Sequence, residues 1–196
     1  MELIHNGRAE RIESARLARV GDVLAACTES VDHVLLSLRL DGCEIDETER
    51  AEIEHLSTDV EGRLEVESRP RRAVARDGLE SAAAYASEVA GAFERAAGLL
   101  REGHFDRAQV LLATCLDAVV VLLSAVRRAA DALGAVAEPL AACEPELERG
   151  LAAMETCFAA TDWVGLADCV EFEVSVAIGK WPERIGAVRL AAGDEQ

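Results

Sequence analysis

Between Phe105 and Leu133 the chain is so apolar and so helix-favouring that the rest of the fold must be arranged around it. Ala108, Leu111, Leu112, Cys115, Leu116, Val119, Val120, Leu123 and Val126 recur at the spacing of one broad helix face. Val110, Val121 and Leu122 fall elsewhere on the circumference. A helix apolar nearly all round is buried on several sides, so this segment is expected to be the central helix. Its inner stretch, Ala108 to Val126, is also long enough to invite a transmembrane reading. Asp117 sits near the middle of it, and a central Asp costs about 3 kcal/mol on insertion scales. With Gln109, Ser and Thr also present, the segment reads as a buried protein helix, and no membrane partner is expected.

Other helices are predicted on either side. Gly78 to Arg101 is Ala-rich, and Glu102-Gly103-His104 supplies a turn. Pro139 and Pro145 bracket a connection; Glu146 to Ala160 and Asp162 to Lys180 follow as helices. Pro182 breaks or kinks the last of these, and a short helix runs on to Leu190. The segment Glu102-Gly103-His104-Phe105-Asp106-Arg107-Ala108 resembles the inter-helix turn of a tetratricopeptide repeat, which needs a second copy 34 residues away. The nearest similar turn, Thr161-Asp162-Trp163-Val164-Gly165-Leu166-Ala167, lies about 58 residues on. Both therefore read as helix-hairpin turns that seat an aromatic.

The first third of the chain has a different texture. Ile12, Ala15, Leu17, Val20, Val23, Leu24 and Cys27 follow helical spacing. Val34, Leu36, Leu38 and Leu40 then alternate with Leu35, Ser37, Arg39 and Asp41, as in a strand with one apolar face. Asp41-Gly42 suits a tight hairpin turn, with Cys43-Glu44-Ile45 pairing back. Asp46 and Glu49 form a capping pair for a short helix from about Thr48 to Leu56. Gly62 to Ser68 alternates again, with Leu64 and Val66 on one side. The fold class is therefore mainly α: an α+β module of two or three strands over residues 1–68, a basic linker over 69–76, and a four-helix bundle over 77–192. Arg69, Arg71 and Arg72 cluster in the linker, where Pro70 disfavours helix at the residue before it. They read as solvated, or as a contact for an acidic partner, since Arg suits carboxylate recognition.

Charge narrows the function classes. Asp and Glu number 37 against 20 Lys and Arg, a formal net charge of −17. Such a body repels nucleic acid, which is bound through clustered positive charge. It favours solubility and steers basic partners inward. Five of the six cysteines, Cys27, Cys115, Cys143, Cys157 and Cys169, lie in or beside apolar runs, where free Cys packs as a small hydrophobe. No C-x-x-C pair occurs, so reduced thiols and a cytoplasmic location are expected. The N-terminal residues show no signal-peptide pattern. His5, His33, His55 and His104 are scattered, without a Glu-x-x-His motif, and neither metal nor cofactor is expected. There is no phosphate loop, dinucleotide glycine motif or Gly-x-Ser-x-Gly elbow.

The most distinctive segment is near the C-terminus. Trp163, Ala167, Val170, Val174, Ala177 and Trp181 form one stripe at spacings of three and four, containing both tryptophans. Glu173 flanks the stripe near Leu166 and Val170; Asp168 and Glu171 are one turn apart and are placed to form an acidic pair. A carboxylate at such a border must be paired, hydrogen-bonded or protonated, and a neighbouring helix's Arg is the expected partner of Glu173. Asp168, Glu171 and Glu173 are the candidate polar site. Arg69, Arg71, Arg72, Trp163 and Trp181 are the candidate interaction residues.

Leu166-Ala167-Asp168, Glu171-Phe172-Glu173 and Trp181 together resemble the C-terminal helix of uncharacterised bacterial helical-bundle proteins with a Leu-Ala-Asp-x-x-Glu-Tyr-Glu-Leu signature and a downstream Trp. Phe172 stands where that signature has Tyr, and Val174 where it has Leu. The resemblance implies architecture and no particular chemistry. In size and acidity the bundle is also similar to flagellar and secretion chaperones, at the level of fold alone. The expected function is a non-catalytic adaptor or chaperone-like protein with a protein partner, self-association being a second partner class. The alternative is a carboxylate-based enzyme or small-molecule binder with its site near the C-terminal helix.

Overall fold

The computed structural model describes residues 1–10, 17–28, 32–59, 61–134 and 144–191. The protein is mainly helical, with a five-stranded mixed sheet in its N-terminal part. It divides into two compact units, Met1–Val74 and Ala75–Gln196.

In the first unit the strands are β1 (Glu2–His5), β2 (Arg8–Glu10), β3 (His33–Leu40), β4 (Cys43–Glu44) and β5 (Arg63–Pro70). They lie in the order β2-β1-β5-β3-β4, with β1 and β5 parallel and the other pairs antiparallel. Two or three strands were expected; the additional pair is the β1–β2 hairpin. Its turn, Asn6-Gly7, has φ of 51° and 76°, and Asp41-Gly42 between β3 and β4 has 51° and 82°. Both turns use a pair whose second residue lacks the Cβ that penalises positive φ.

Helix α1 (Val20–Cys27) buries Val20, Val23, Leu24 and Cys27 in one core with Leu3, Leu38, Leu64 and Val66. It starts well after Ile12, the expected first residue; Ile12 and Ala15 lie outside the described residues. Leu17 to Arg19 are not helical because the backbone of 18–20 is bonded elsewhere. Thr58 N donates to Ala18 O and Val20 N to Leu56 O, each at 2.9 Å. The Asp22 carboxylate then accepts from Arg19 N at 3.0 Å and closes the helix start.

Strand β3 departs from simple alternation. Its pairing with β5 slips between Leu35 and Ser37, so Leu36 is an extra residue in a bulge. Leu36 is turned out, 48% exposed, while Leu38 is 3% exposed in the core with Leu35 and Leu40 packed beside it. Helix α2 (Glu47–Ile53) begins as expected: Asp46 accepts from Thr48 N and Glu49 N at 2.8 and 2.9 Å, and Glu49 reaches back to Asp46 N. These bonds hold the Asp46 carboxyl below its ordinary range, the Thr48 side chain contributing most.

The expected linker is replaced by regular structure. Arg69 and Pro70 end β5 opposite Val34 and His33, and Arg71 and Arg72 open helix α3 (Arg71–Arg101). Pro70 caps a strand and precedes a helix, two places where its missing N–H is tolerated. Arg71 pairs with Asp32 at 3.1 Å.

The second unit contains about four long packed helices. After α3 come α4 (Phe105–Leu133), α5 (Glu144–Ala159), α6 (Trp163–Asp168), a π-helical stretch (Cys169–Val174), α7 (Ser175–Gly179) and α8 (Trp181–Ala191). Pro145 and Pro182 each fall in the first turn of a helix; Pro139 lies outside the described residues. The core joins Leu79, Phe93 and Leu100 of α3, Leu112, Leu122 and Val126 of α4, and Val170, Ile178, Trp181 and Ile185 of the C-terminal helices.

Helix α4 corrects an expectation. It is not buried on several sides. Ala108, Leu112, Cys115, Val119, Leu122 and Val126 form one buried stripe, but Val110, Val120 and Val121 are 70%, 66% and 62% exposed. Periodicity reports which faces are apolar, not how many neighbours a helix has. Among the described residues α4 is also the one helix long and apolar enough to cross a membrane, and only 28% of its most apolar window is buried.

Candidate functional site

A trough lies between α4 and α5. α4 and α5 run antiparallel: Arg127 pairs with Glu144 at 2.6 Å near one end, and Gln109 and Phe158 share a cavity near the other. That cavity has a volume of about 440 Å³. Leu112, Ala113 and Leu116 of α4, Leu151, Met154 and Phe158 of α5, and Leu166 of α6 line it, with Gln109 and Glu155 as its polar members. Its size lies in the range of ligand pockets, about 300–1,000 Å³, but it is open along its length. Met154 adds an adaptable surface.

An aromatic corner adjoins the trough. Phe105 and Trp163, one from each hairpin turn singled out in the sequence, stack with ring centroids 4.8 Å apart and planes at 25°. Phe158 meets Trp163 edge-on at 6.0 Å. Trp163 is thus half-buried against aromatic neighbours. Trp181 is 1% exposed and packs in the core, so it is not a surface contact. Its Nε1 is buried without a hydrogen-bond partner among the described residues.

The three candidate carboxylates separate. Arg101, the last residue of α3, donates to Asp168 at 2.9 Å and to Glu171, and its guanidinium carbon lies 5.8 Å from the Phe172 ring centre. The carboxylates of Asp168 and then Glu171 raise the Arg101 pKa. The expected acidic pair is therefore bridged by the Arg that was expected on Glu173. Glu173 itself is exposed, with the Cys169 thiol at 3.9 Å. Arg69, Arg71 and Arg72 are exposed at the β5–α3 junction of the first unit.

The stripe expected from Trp163 to Trp181 is otherwise buried, at Ala167, Val170, Val174, Ala177 and Trp181. Around the π-helical stretch, Ser175 N donates to Val170 O, five residues back. Gly150 of α5 sits against this stretch: a Cβ there would lie 3.0 Å from Val174 Cγ2 and 3.4 Å from Val174 N. Cys157 of α5 and Cys169 also meet here, with sulfurs 3.8 Å apart. Burial first, then the Cys157 hydrogen bond and the charges of Glu173 and Asp168, push the Cys169 thiol up to about 11. Cys27, Cys43, Cys115, Cys157 and Cys169 are free thiols; Cys143 lies outside the described residues.

One polar junction was not visible in the sequence. His5 Nε2 and His33 Nδ1 lie 2.8 and 3.1 Å from Ser68 Oγ, which also reaches Cys27 O at 3.1 Å. Ser68 N donates to Asn6 Oδ1, which turns Asn6 Nδ2 towards His5 Nε2 at 3.3 Å. His5 Nδ1 faces Glu10 at 3.4 Å. The residue types match the Ser–His–Glu order of a nucleophile relay, but the Ser68 hydroxyl donates to Cys27 O. Ser68, however, is 2% exposed, and a nucleophile needs a path for its substrate. The junction acts as a tie joining β1, β3, β5 and α1. No three His, Cys, Asp or Glu side chains converge as metal ligands among the described residues.

Residues 77–184 match the family described as Domain of unknown function (DUF8042). The residues of the Leu166–Val174 signature and Trp181 lie inside that span. No curated protein and no solved structure matches the chain.

Proposed function

We propose a non-catalytic protein-binding function, as an adaptor or chaperone-like protein of the cytoplasm, for this chain, which belongs to the DUF8042 family. The observation that carries the proposal is the apolar trough between α4 and α5, lined by Leu112, Leu116, Leu151, Met154, Phe158 and Leu166. Contiguous apolar surface of this kind on a soluble body is a docking surface or an aggregation hazard. The net charge of −17 counters the second outcome by keeping copies apart. The finer architecture that accompanies this reading is a four-helix bundle carrying the trough on one side.

A bilayer is the less favoured occupant. The buried stripe of α4 is committed to the core with α3 and the C-terminal helices, so spanning a membrane would require that core to open. Asp117 also lies on the exposed side. A carboxylate enzyme centred on Asp168, Glu171 and Glu173 is less favoured too, because Arg101 neutralises two of the three.

The test is affinity capture with the wild-type chain and with Leu116→Glu, both checked for fold by circular dichroism. Leu116 is at the cavity and partly exposed, so a charge there spoils the trough without entering the core. A stoichiometric protein that rebinds in purified form and is lost with Leu116→Glu is expected. A partner retained by that variant overturns the proposal.

A further inference from the structure

We propose that the trough receives one amphipathic α-helix from a partner protein, apolar on its inward face and carrying Lys or Arg along its edges. This deepens the reading above and rests on it.

The first ground is the seam on each wall. On α4 the residues lining the trough are Gln109, Leu112, Ala113 and Leu116, and Val120 lies four residues further on the same helical line. Leu151, Met154 and Phe158 repeat the pattern on α5. Steps of four and three residues keep a seam straight along a helix, which is the pattern a helix carries where another helix lies along it. Two such seams facing one open channel make a groove for a third helix. The lined stretch of α4, from Gln109 to Leu116, spans seven residue steps, about 10 Å at 1.5 Å per residue, and Leu151 to Phe158 spans the same on α5. That is about two helical turns on each wall.

The second ground is charge. Asp106 and Asp117 are exposed on the outer side of α4, and Glu148 and Glu155 are exposed seven residues apart on α5. These acids lie beside the apolar seams, where the edge residues of a docked helix would pass. A helix edged with Lys or Arg is complementary to both rims. A second copy of this chain would bring another −17 to the same surface, which disfavours it as the occupant.

The probes are three labelled 18-residue peptides: a helix with Leu at the seam positions and Lys at the edges, its Glu-edged counterpart, and the Lys peptide with a central Pro. Fluorescence anisotropy is read with the full chain, with Leu116→Glu, and with Glu148→Lys/Glu155→Lys, each confirmed folded by circular dichroism. The Lys peptide is expected to bind at least ten-fold more tightly than the other two. Leu116→Glu should weaken it at least ten-fold, and the double charge reversal should turn the preference towards the Glu peptide. Equal binding of Lys and Glu peptides, tolerance of the central Pro, indifference to Leu116→Glu, or no binding of any peptide overturns the inference. So does a concentration-dependent dimer, or uptake by phosphatidylcholine vesicles, that Leu116→Glu abolishes. A captured partner that needs Leu116, together with peptides showing no preference, would sink this inference and leave the proposed function standing.

Discussion

Trp181 tests the packing of the C-terminal helices most sharply, because it sets two opposing terms against each other. It is 1% exposed, and its Nε1 lacks a partner among the described residues. A buried Trp removes up to about 250 Å² from water, worth about 6 kcal/mol at 25 cal/mol per Å² as an upper bound. Measured truncations of buried aromatics to Ala cost about 3–5 kcal/mol. The orphan N–H gives back about 1–3 kcal/mol of that benefit. Trp181→Ala should therefore lower stability by about 3 kcal/mol. Trp181→Phe loses less surface and also removes the orphan donor, so its net effect should stay within about 1.5 kcal/mol. Both tryptophans lie in the second unit. Trp163 fluorescence during urea unfolding thus reports that unit alone in either variant. If Trp181→Phe were as damaging as Trp181→Ala, the indole nitrogen would have a partner and the reasoning would be wrong. A loss below about 1 kcal/mol for Trp181→Ala would remove Trp181 from the core altogether.

The bulge in β3 makes two adjacent outcomes diverge. Leu38→Ala should cost about 2–4 kcal/mol, whereas Leu36→Lys should change stability by less than about 0.5 kcal/mol; thermal melts followed by circular dichroism decide it, and equal losses would refute the bulge. Cys169 should resist alkylation at pH 8 and gain reactivity only as the pH approaches about 11, because the neutral thiol is held by burial and by Cys157. Time-resolved iodoacetamide labelling with peptide mass spectrometry, using exposed Cys43 as the internal reference, checks this; labelling of both at one rate at pH 8 counts against it.

The parts of the fold legible in the sequence are those whose cause is local. Asp41-Gly42 and the Asp46–Glu49 box act within four residues, and the structure has both. Asn6-Gly7 carries the same turn signal, but its flanking strands are four and three residues long and bear Glu2, Arg8 and Glu10, so no alternation marks them. The bulge at Leu36 is hidden for another reason: its position depends on how β3 pairs with β5, about thirty residues away. Ser68, His5 and His33 meet across sequence separations of 63 and 35, which no motif spacing records. The Arg101 bridge was half legible. The chemistry of a carboxylate near an apolar stripe called for an Arg, but only the neighbouring helix end could decide that Asp168 and Glu171, not Glu173, would receive it.

Helix α4 shows why a candidate site can be missed when every residue in it has been noticed. Its hydropathy is compatible with a core helix, a membrane span and a docking face, since all three bury apolar side chains and differ only in what they are buried against. Among the described residues, one stripe of α4 is buried in the core and Val110, Val120 and Val121 are exposed. The exposed part is neither uniformly apolar, as lipid would require, nor interspersed with enough charge for a purely solvated face. It carries a straight seam with Asp106 and Asp117 to one side and the acids of α5 across the channel. A surface of that composition is stable in water only as long as its charges keep copies apart, and it gains most from a partner that covers the seam and supplies positive charge at the edges. Under the proposed docking, the same acidity that argued against nucleic acid from composition is the feature that would select which helix lies in the trough.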